Sequence, residues 1–219
     1  MTQLALVIDL NVCVGCHACV TSCKEWNTSG SAGYMSDDRP YGEDPTGTFF
    51  NRVQTFECGE YPNTETVHFP KSCLHCEDPP CVPVCPTGAS QKRDADGIVF
   101  VDGDVCVGCR ACVMSCPYGA RYFQDDDRNY FGDAPNAYEE RRYAAHSVGV
   151  VEKCDFCRHR LAEGKEPACS ANCMCKARIF GDLDDPSSEV SRLIREEGGF
   201  QLNPELGTDP SVYYLPPDR

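Results

Sequence analysis

The sequence predicts an α+β protein built from two small modules organised around metal, with loop insertions between them and an extended C-terminal tail. Three observations lead there. Sixteen of the 18 cysteines fall into four tight ladders. Two of these ladders read almost alike, "NVCVGCHACVTSC" (Asn11 to Cys23) and "DVCVGCRACVMSC" (Asp104 to Cys116). Short β-rich runs enter and leave the ladders, and none is large enough to bury a core of its own.

Taken in order, "LALVID" reads as a strand running straight into the first ladder, Cys13, Cys16, Cys19 and Cys23, spaced C-x2-C-x2-C-x3-C. "HACVTSCKEWN" reads as a short helix, followed by a Gly/Ser/Asp/Pro-rich insertion, "NTSGSAGYMSDDRPYGEDPTGTFFNR". "TVHF" leads into the second ladder, Cys73, Cys76, Cys81 and Cys85, spaced C-x2-C-x4-C-x3-C. "GASQKR" and "GIVFVD" are strands on the way to the third ladder, Cys106, Cys109, Cys112 and Cys116. "GARYF" leaves it, and a second insertion, "QDDDRNYFGDAPNAYEERRYAAHSVG", follows. "GVVEK" then enters the fourth ladder, Cys154, Cys157, Cys169 and Cys173, whose middle gap holds eleven residues. "ARIFGDL" is a further strand. "SSEVSRLIREEGG" carries helix signals, with Ser187 or Ser188 as the cap and Gly198 as the stop. The tail, "ELGTDPSVYYLPPDR", reads as extended, lying against a partner or exposed to solvent.

Composition excludes several roles. With 34 acidic against 20 basic residues and a formal charge of −14, the chain lacks the basic face that nucleic acid requires. No apolar run approaches the roughly 20 residues that cross a bilayer, so membrane attachment is expected from another subunit. The opening residues show neither the basic region nor the long apolar core of a secretory signal, which favours the cytoplasmic face. A disulfide scaffold fits poorly, because cysteines two residues apart are too crowded to pair with each other. No nucleophile, acid–base pair or nucleotide loop stands out, and the chain is not expected to be catalytic by itself.

The ladder spacing points to [4Fe–4S] clusters. In two-cluster ferredoxins a C-x2-C-x2-C-x3-C-P run gives three ligands to one cluster, and its fourth cysteine reaches across to the other. One ladder therefore cannot finish a cluster, and four ladders make two exchanging pairs. Zinc asks for four ligands but for neither the third cysteine in rhythm nor the Cys-Pro endings at Cys85-Pro86 and Cys116-Pro117. The long gap of the fourth ladder would suit zinc in isolation.

The second and third ladders start closest together and share the Cys-Pro ending, which pairs them and leaves the first with the fourth. The likeness of the first and third ladders points instead to duplication of a one-two unit, and spacing is preferred as the guide to geometry. The expected sets are Cys73, Cys76, Cys81 with Cys116, and Cys106, Cys109, Cys112 with Cys85. The others are Cys13, Cys16, Cys19 with Cys173, and Cys154, Cys157, Cys169 with Cys23. Cys175 lies two residues beyond Cys173, and the x3 spacing favours Cys173. Cys58 reads as a buried small hydrophobe.

The modules then cover residues 1–57 with 145–185, and 58–125, with 126–144 as an insertion and 186–219 as helix and partner-contacting tail. Loading sixteen thiolates around four doubly positive cores takes the formal charge from −14 to about −22. Arg110, Arg121, Lys153 and Arg178 stand near ligands in sequence and could tune potentials, with ordinary surface cations as the alternative. His17 and His75 lie inside ladders whose cysteines already fill every site, leaving them hydrogen-bonding roles. His68, His146 and His159 carry no signal. Trp26 is expected to pack over the cluster served by Cys23.

These motifs, "KSCLHCEDPPCVPVCPTGAS", "DVCVGCRACVMSCPYGARYF", "EKCDFCRHRLAEGKEPACSANC", "ARIFGDLDDPSSEVS" and "LGTDPSVYYL", resemble the four-cluster electron-transfer subunits of the dimethyl sulfoxide reductase family of molybdenum enzymes. The resemblance implies two bacterial-type two-cluster ferredoxin modules and the same ladder pairing. It also implies a large catalytic partner carrying the molybdopterin cofactor and a membrane anchor subunit with quinone. Some relatives replace one third-ladder cysteine and hold a three-iron cluster; Cys109 is present here, which implies four cubanes. "CMCKAR" departs from the usual Cys-Pro-Thr-Gly-Ala-Arg-like stretch. "CVGCHACVTSCKEWN" and "PYGEDPTGTFFNRV" are similar to the iron–sulfur subunit of the membrane-bound sulfite dehydrogenase group. Subunits of polysulfide, tetrathionate, dimethyl sulfoxide and phenylacetyl-CoA oxidoreductases look alike, and a free polyferredoxin is the rival of a different kind.

Overall fold

Strand β1 (Leu4–Asp9) is apolar on both faces because both are covered: Ala5, Leu6, Val7 and Ile8 are all buried. The computed structural model describes residues 2–27, 49–125, 134–142 and 147–217; most of the first insertion and part of the second, with His146, lie outside the described residues. β1 runs into the first ladder and then α1 (Ala18–Asn27), the short helix expected there. A hairpin, β2 (Arg52–Glu60) and β3 (Asn63–Lys71), delivers the chain to the second ladder. Strands β4 (Ser90–Lys92) and β5 (Val99–Val101) pair antiparallel and tie the second ladder to the third.

Helix α2 (Ala111–Ser115) closes the third ladder, and β6 (Tyr122–Phe123) leaves it. Beyond α3 (Glu139–Arg142), strand β7 (Val151–Glu152) pairs antiparallel with β6 and enters the fourth ladder. Helices α4 (Arg158–Ala162) and α5 (Ala168–Ala171) fill that ladder's long gap. β8 (Arg178–Asp182), α6 (Glu189–Glu196), a single 3-10 turn (Pro204–Leu206) and β9 (Val212–Leu215) complete the chain.

The main sheet has the order β8-β1-β9, with β8 antiparallel and β9 parallel to the central β1. Side chains alternate across it. Leu6 and Ile8 face Leu74, Ile98, Phe156 and Tyr214, whereas Val7 faces Val190 and Leu193 of α6. Burying one such aliphatic side chain stabilises the fold by about 1.5–3 kcal/mol. Because β1 leads into the first ladder and β8 leaves the fourth, this sheet brings those two ladders together. Ser188 caps α6, its hydroxyl accepting from the Ser191 N–H at 3.2 Å, and Gly198 follows the helix at φ +69°. Ser188 is thus the cap of the two expected serines.

The tail is extended, and Val212, Tyr214 and Leu215 are fully buried within this chain as a strand beside β1. Their alternation of apolar side chains supplies both sheet faces. Cys58 is exposed, not buried: it sits opposite Glu65 on the outer half of the β2–β3 hairpin, which projects beyond the core.

Candidate metal centres

Each ladder makes the same turn. The residue before its second cysteine has a left-handed backbone: Gly15 (φ +64°), His75 (+45°), Gly108 (+65°) and Phe156 (+54°). An alanine methyl at Gly108 would stand 2.2 Å from the Gly149 carbonyl oxygen, so glycine is required there for space as well as for φ. His75 and Phe156 accept the strained conformation and stack on each other, ring centroids 3.6 Å apart, both nearly out of contact with water.

Two small cavities lie among the second and third ladders. One is lined by Cys73, Cys76, Cys81 and Cys116, the other by Cys85, Cys106, Cys109 and Cys112. They hold about 320 and 300 Å³ of space free of protein atoms, open mouths included. Each is ringed by three cysteines of one ladder and the last of the other. Four thiols around a shared space are the donor set of a [4Fe–4S] cluster, so the residues fit that group. Among the described residues, no three His, Cys, Asp or Glu side chains gather tightly enough for a single metal ion.

Electrostatics link the remaining ladders. Burial pushes the Cys23 thiol well above its ordinary pKa, and Cys154, Cys157 and Cys169 add to the rise. Burial also raises Cys13, with Cys19 and Cys173 contributing; Cys173, at the x3 spacing, is therefore within reach of the first ladder. Cys76 is pushed up to about 12 by burial and then by Cys73, and Cys157 to about 11 by burial and then by Cys169. Cys85 goes the other way: slight burial is outweighed by hydrogen bonds from the Ser90 N–H and from Thr87, which bring it to about 7. Carboxylates are not what holds these sites; crowded, desolvated thiols are.

The groups stand in a row. Cys19 is in electrostatic reach of Cys169, and Cys154 of Cys73. Cys81 and Cys112 share one guanidinium, that of Arg121. Of the ladder cysteines only Cys16 and Cys109 are exposed, and they belong to the ladders at the two ends.

Three of the four cations singled out from sequence are buried: Arg121, Lys153 and Arg178. Arg110 is at the surface, over the Phe123 ring at 3.7 Å. Buried His75 has its pKa lowered by desolvation and then by Lys153 and Arg121; its neutral ring accepts from the Val99 N–H at 3.2 Å. Trp26 stacks against His159 (centroids 6.1 Å, planes inclined by 29°) and lies beneath Arg160, beside the fourth ladder. Sequence reasoning missed Asn27, which donates to the Cys157 sulfur at 3.3 Å, and Ser90 and Asn51, which anchor arginines. Asn27 lies one helical turn after Cys23, a signal that was readable in principle; the other two are distant in sequence from the groups they hold.

Comparison with known proteins agrees. Two family models, each described as a 4Fe-4S dicluster domain, match residues 12–89 and residues 64–131 with 137–183. A sulfite dehydrogenase subunit from Allochromatium vinosum is 58% identical over 99% of this chain and 84% of its own length. A putative dimethyl sulfoxide reductase iron-sulfur subunit from Halobacterium salinarum is 43% identical, covering 98% of this chain and 79% of its own. The arsenate respiratory reductase iron-sulfur subunit of a Shewanella species is 37% identical, over 97% and 96%. The chain belongs to the 4Fe-4S dicluster family, among the iron–sulfur electron-transfer subunits of dimethyl sulfoxide reductase-type oxidoreductases.

Proposed function

We propose that this chain carries four [4Fe–4S] clusters and relays electrons from a large molybdopterin subunit that oxidises sulfite to a membrane subunit that serves quinone. Cys73, Cys76, Cys81 and Cys116 would hold one cluster, and Cys106, Cys109, Cys112 and Cys85 its neighbour. Cys13, Cys16, Cys19 and Cys173 would hold the third, and Cys154, Cys157, Cys169 and Cys23 the fourth. The observation that carries the reading is the pair of cavities, each ringed by three thiols of one ladder and the last of its mate.

A cluster of this type supplies one-electron carriage. The chain's own part is to keep water from the inner thiols and to leave Cys16 and Cys109 open at the two ends, which supports electron entry at one end and exit at the other. In this reading the modules are residues 1–57 with 145–185, and 58–125. Among the described residues no helix is long and apolar enough to cross a membrane. Contact with the bilayer, at its cytoplasmic face, is assigned to the partner.

Sulfite as the electron source rests on the 58% identity to the Allochromatium vinosum protein. The relatives named for dimethyl sulfoxide and arsenate support the second reading, the same relay with another substrate. The test is anaerobic purification of the native complex, with metal analysis and sulfite-dependent quinone reduction. Four clusters on this chain, molybdenum on its partner and sulfite turnover are expected. Turnover with dimethyl sulfoxide or arsenate instead would favour the second reading, and a colourless, zinc-bearing chain would overturn both.

A further inference from the structure

Five cations are buried among the described residues: Lys24, Arg121, Lys153, Arg160 and Arg178. Two have local explanations. Lys24 has Glu139 beside it, and Arg160 donates to the Glu166 carbonyl and covers Trp26. The other three have no carboxylate within ion-pair distance among the described residues. Burying an unpaired charge is strongly unfavourable, so each must find its counter-charge elsewhere.

Their positions show where. Arg121 Nη2 donates to the Cys81 sulfur at 2.9 Å and to Ser90 Oγ at 2.7 Å, and the same guanidinium lies in electrostatic reach of Cys112. It therefore stands between the two cavities. Arg178 holds the same place in the other pair of ladders. It donates to Asn51 Oδ1 at 2.6 Å and lies in electrostatic reach of Cys169 and Cys19. Both arginines follow an alanine, five residues after the last cysteine of a ladder, and both face the third cysteine of each ladder in their pair. Nε and Nη1 of each find no hydrogen-bond partner among the described residues. Lys153 occupies the middle: its ammonium binds the carbonyls of Val99 and Cys154 and acts on the Cys154 and Cys81 thiols, one from each side.

We propose that Arg178, Lys153 and Arg121 are three fixed positive bridges, one at each junction between successive thiol sets, and that each raises the reduction potential of the cluster on both its sides. This rests on the four-cluster reading. A reduced cluster carries one more negative charge than an oxidised one, so a neighbouring cation favours reduction. The attraction of these cations also offsets the repulsion between adjacent reduced clusters, which otherwise opposes filling the row. The three are positioning residues; none takes an electron itself.

The test is an EPR-monitored redox titration of the intact complex with Arg178→Gln, Lys153→Met and Arg121→Gln, each against wild type. Each variant is expected to lower two of the four reduction equilibrium constants by tenfold or more, about 59 mV per decade for one electron. The pairs should overlap as links of a chain. The Lys153 variant shares one cluster with the Arg178 variant and the other with the Arg121 variant, and the two arginine variants share none. Arg121→Lys and Arg178→Lys, which keep the charge, should shift the same pair by less. If a glutamine variant loads poorly, Ser90→Ala or Asn51→Ala frees the guanidinium without removing it, and a smaller shift in the same pair is expected. Fewer than four clusters in wild type would sink the underlying reading. Four clusters with shifts confined to one cluster, spread evenly over all, or without the overlap would overturn the bridges alone.

Discussion

Replacing Gly108 by alanine separates the cost of backbone strain from the cost of lost space. Gly108 has φ +65°, where an L-residue costs about 1–2 kcal/mol. Its new methyl would stand 2.2 Å from the Gly149 carbonyl oxygen and 2.9 Å from the Phe123 ring. The oxygen is backbone and cannot swing away, so overpacking adds about 1–3 kcal/mol. The total is about 2–5 kcal/mol, placed on the loop between Cys106 and Cys109. Gly88→Ala is the control: φ is +72° and nothing lies within 4 Å of the new methyl, leaving about 1–2 kcal/mol of strain alone. Gly15→Ala falls between, because its methyl meets the His68 ring at 2.4 Å, and a side chain can turn aside. At roughly 2–4 °C per kcal/mol for a chain of this size, Gly108→Ala should melt about 2–12 °C below Gly88→Ala. The assay is loss of cluster absorbance on heating, with iron per chain measured beforehand. Equal melting and equal iron content for the Gly108 and Gly88 variants would refute the packing argument.

Cys173→Ser should cost one cluster by iron and sulfide analysis, whereas Cys175→Ser and Cys58→Ser should leave all of them; loss in the Cys175 variant would reassign the fourth ladder. Ser188→Ala removes the cap of α6 and should destabilise by about 1 kcal/mol with the iron content unchanged. Ile8→Ala opens a cavity beneath the main sheet, where Ile8 is fully buried, and should cost about 2–5 kcal/mol in a denaturation curve. Stripping iron under anaerobic reducing conditions should make the ladder regions susceptible to protease, since crossed ligands would no longer tie these short elements together.

The ladders were legible because cluster chemistry imposes spacing on sequence directly, and the strands beside them because each is a short apolar run against a ligand loop. "LALVID", "GIVFVD" and "ARIFGDL" all became strands. Strand β2 was not legible: "RVQTFECGE" is largely polar, and its outer half is exposed, so no burial pattern betrays it. The same exposure explains Cys58, whose usual preference for the interior is overridden by its place on a projecting hairpin. The tail "VYYL" could be seen as extended, but only the register with β1 reveals that its partner is the N-terminus of the same chain. Arg121 and Arg178 could be named from their nearness to cysteines. Their burial, and the Ser90 and Asn51 that hold them, depend on contacts 31 and 127 residues apart.

The four ladders share one turn but not one residue at its strained position, and the difference follows their place in the row. The outer ladders, which carry the exposed Cys16 and Cys109, use Gly15 and Gly108, the residues that reach positive φ without cost. The inner ladders use His75 and Phe156, which accept about 1–2 kcal/mol of backbone strain each. In return the two rings stack between the ladder pairs, and Phe156 also meets Phe180 of the main sheet edge-on at 5.4 Å. Such a pair is worth about 0.5–1.5 kcal/mol beyond the area it buries, and burial of the Phe156 ring adds about 1.5–3 kcal/mol. Glycine at both positions would relieve the strain and remove a comparable gain, leaving an opening where Cys73 and Cys154 approach each other. At the ends of the row the space is already taken, by the Gly149 carbonyl and the Phe123 ring at Gly108 and by the His68 ring at Gly15, so no side chain fits. The same ligand turn therefore takes glycine where neighbouring atoms crowd it and a ring where it faces its counterpart.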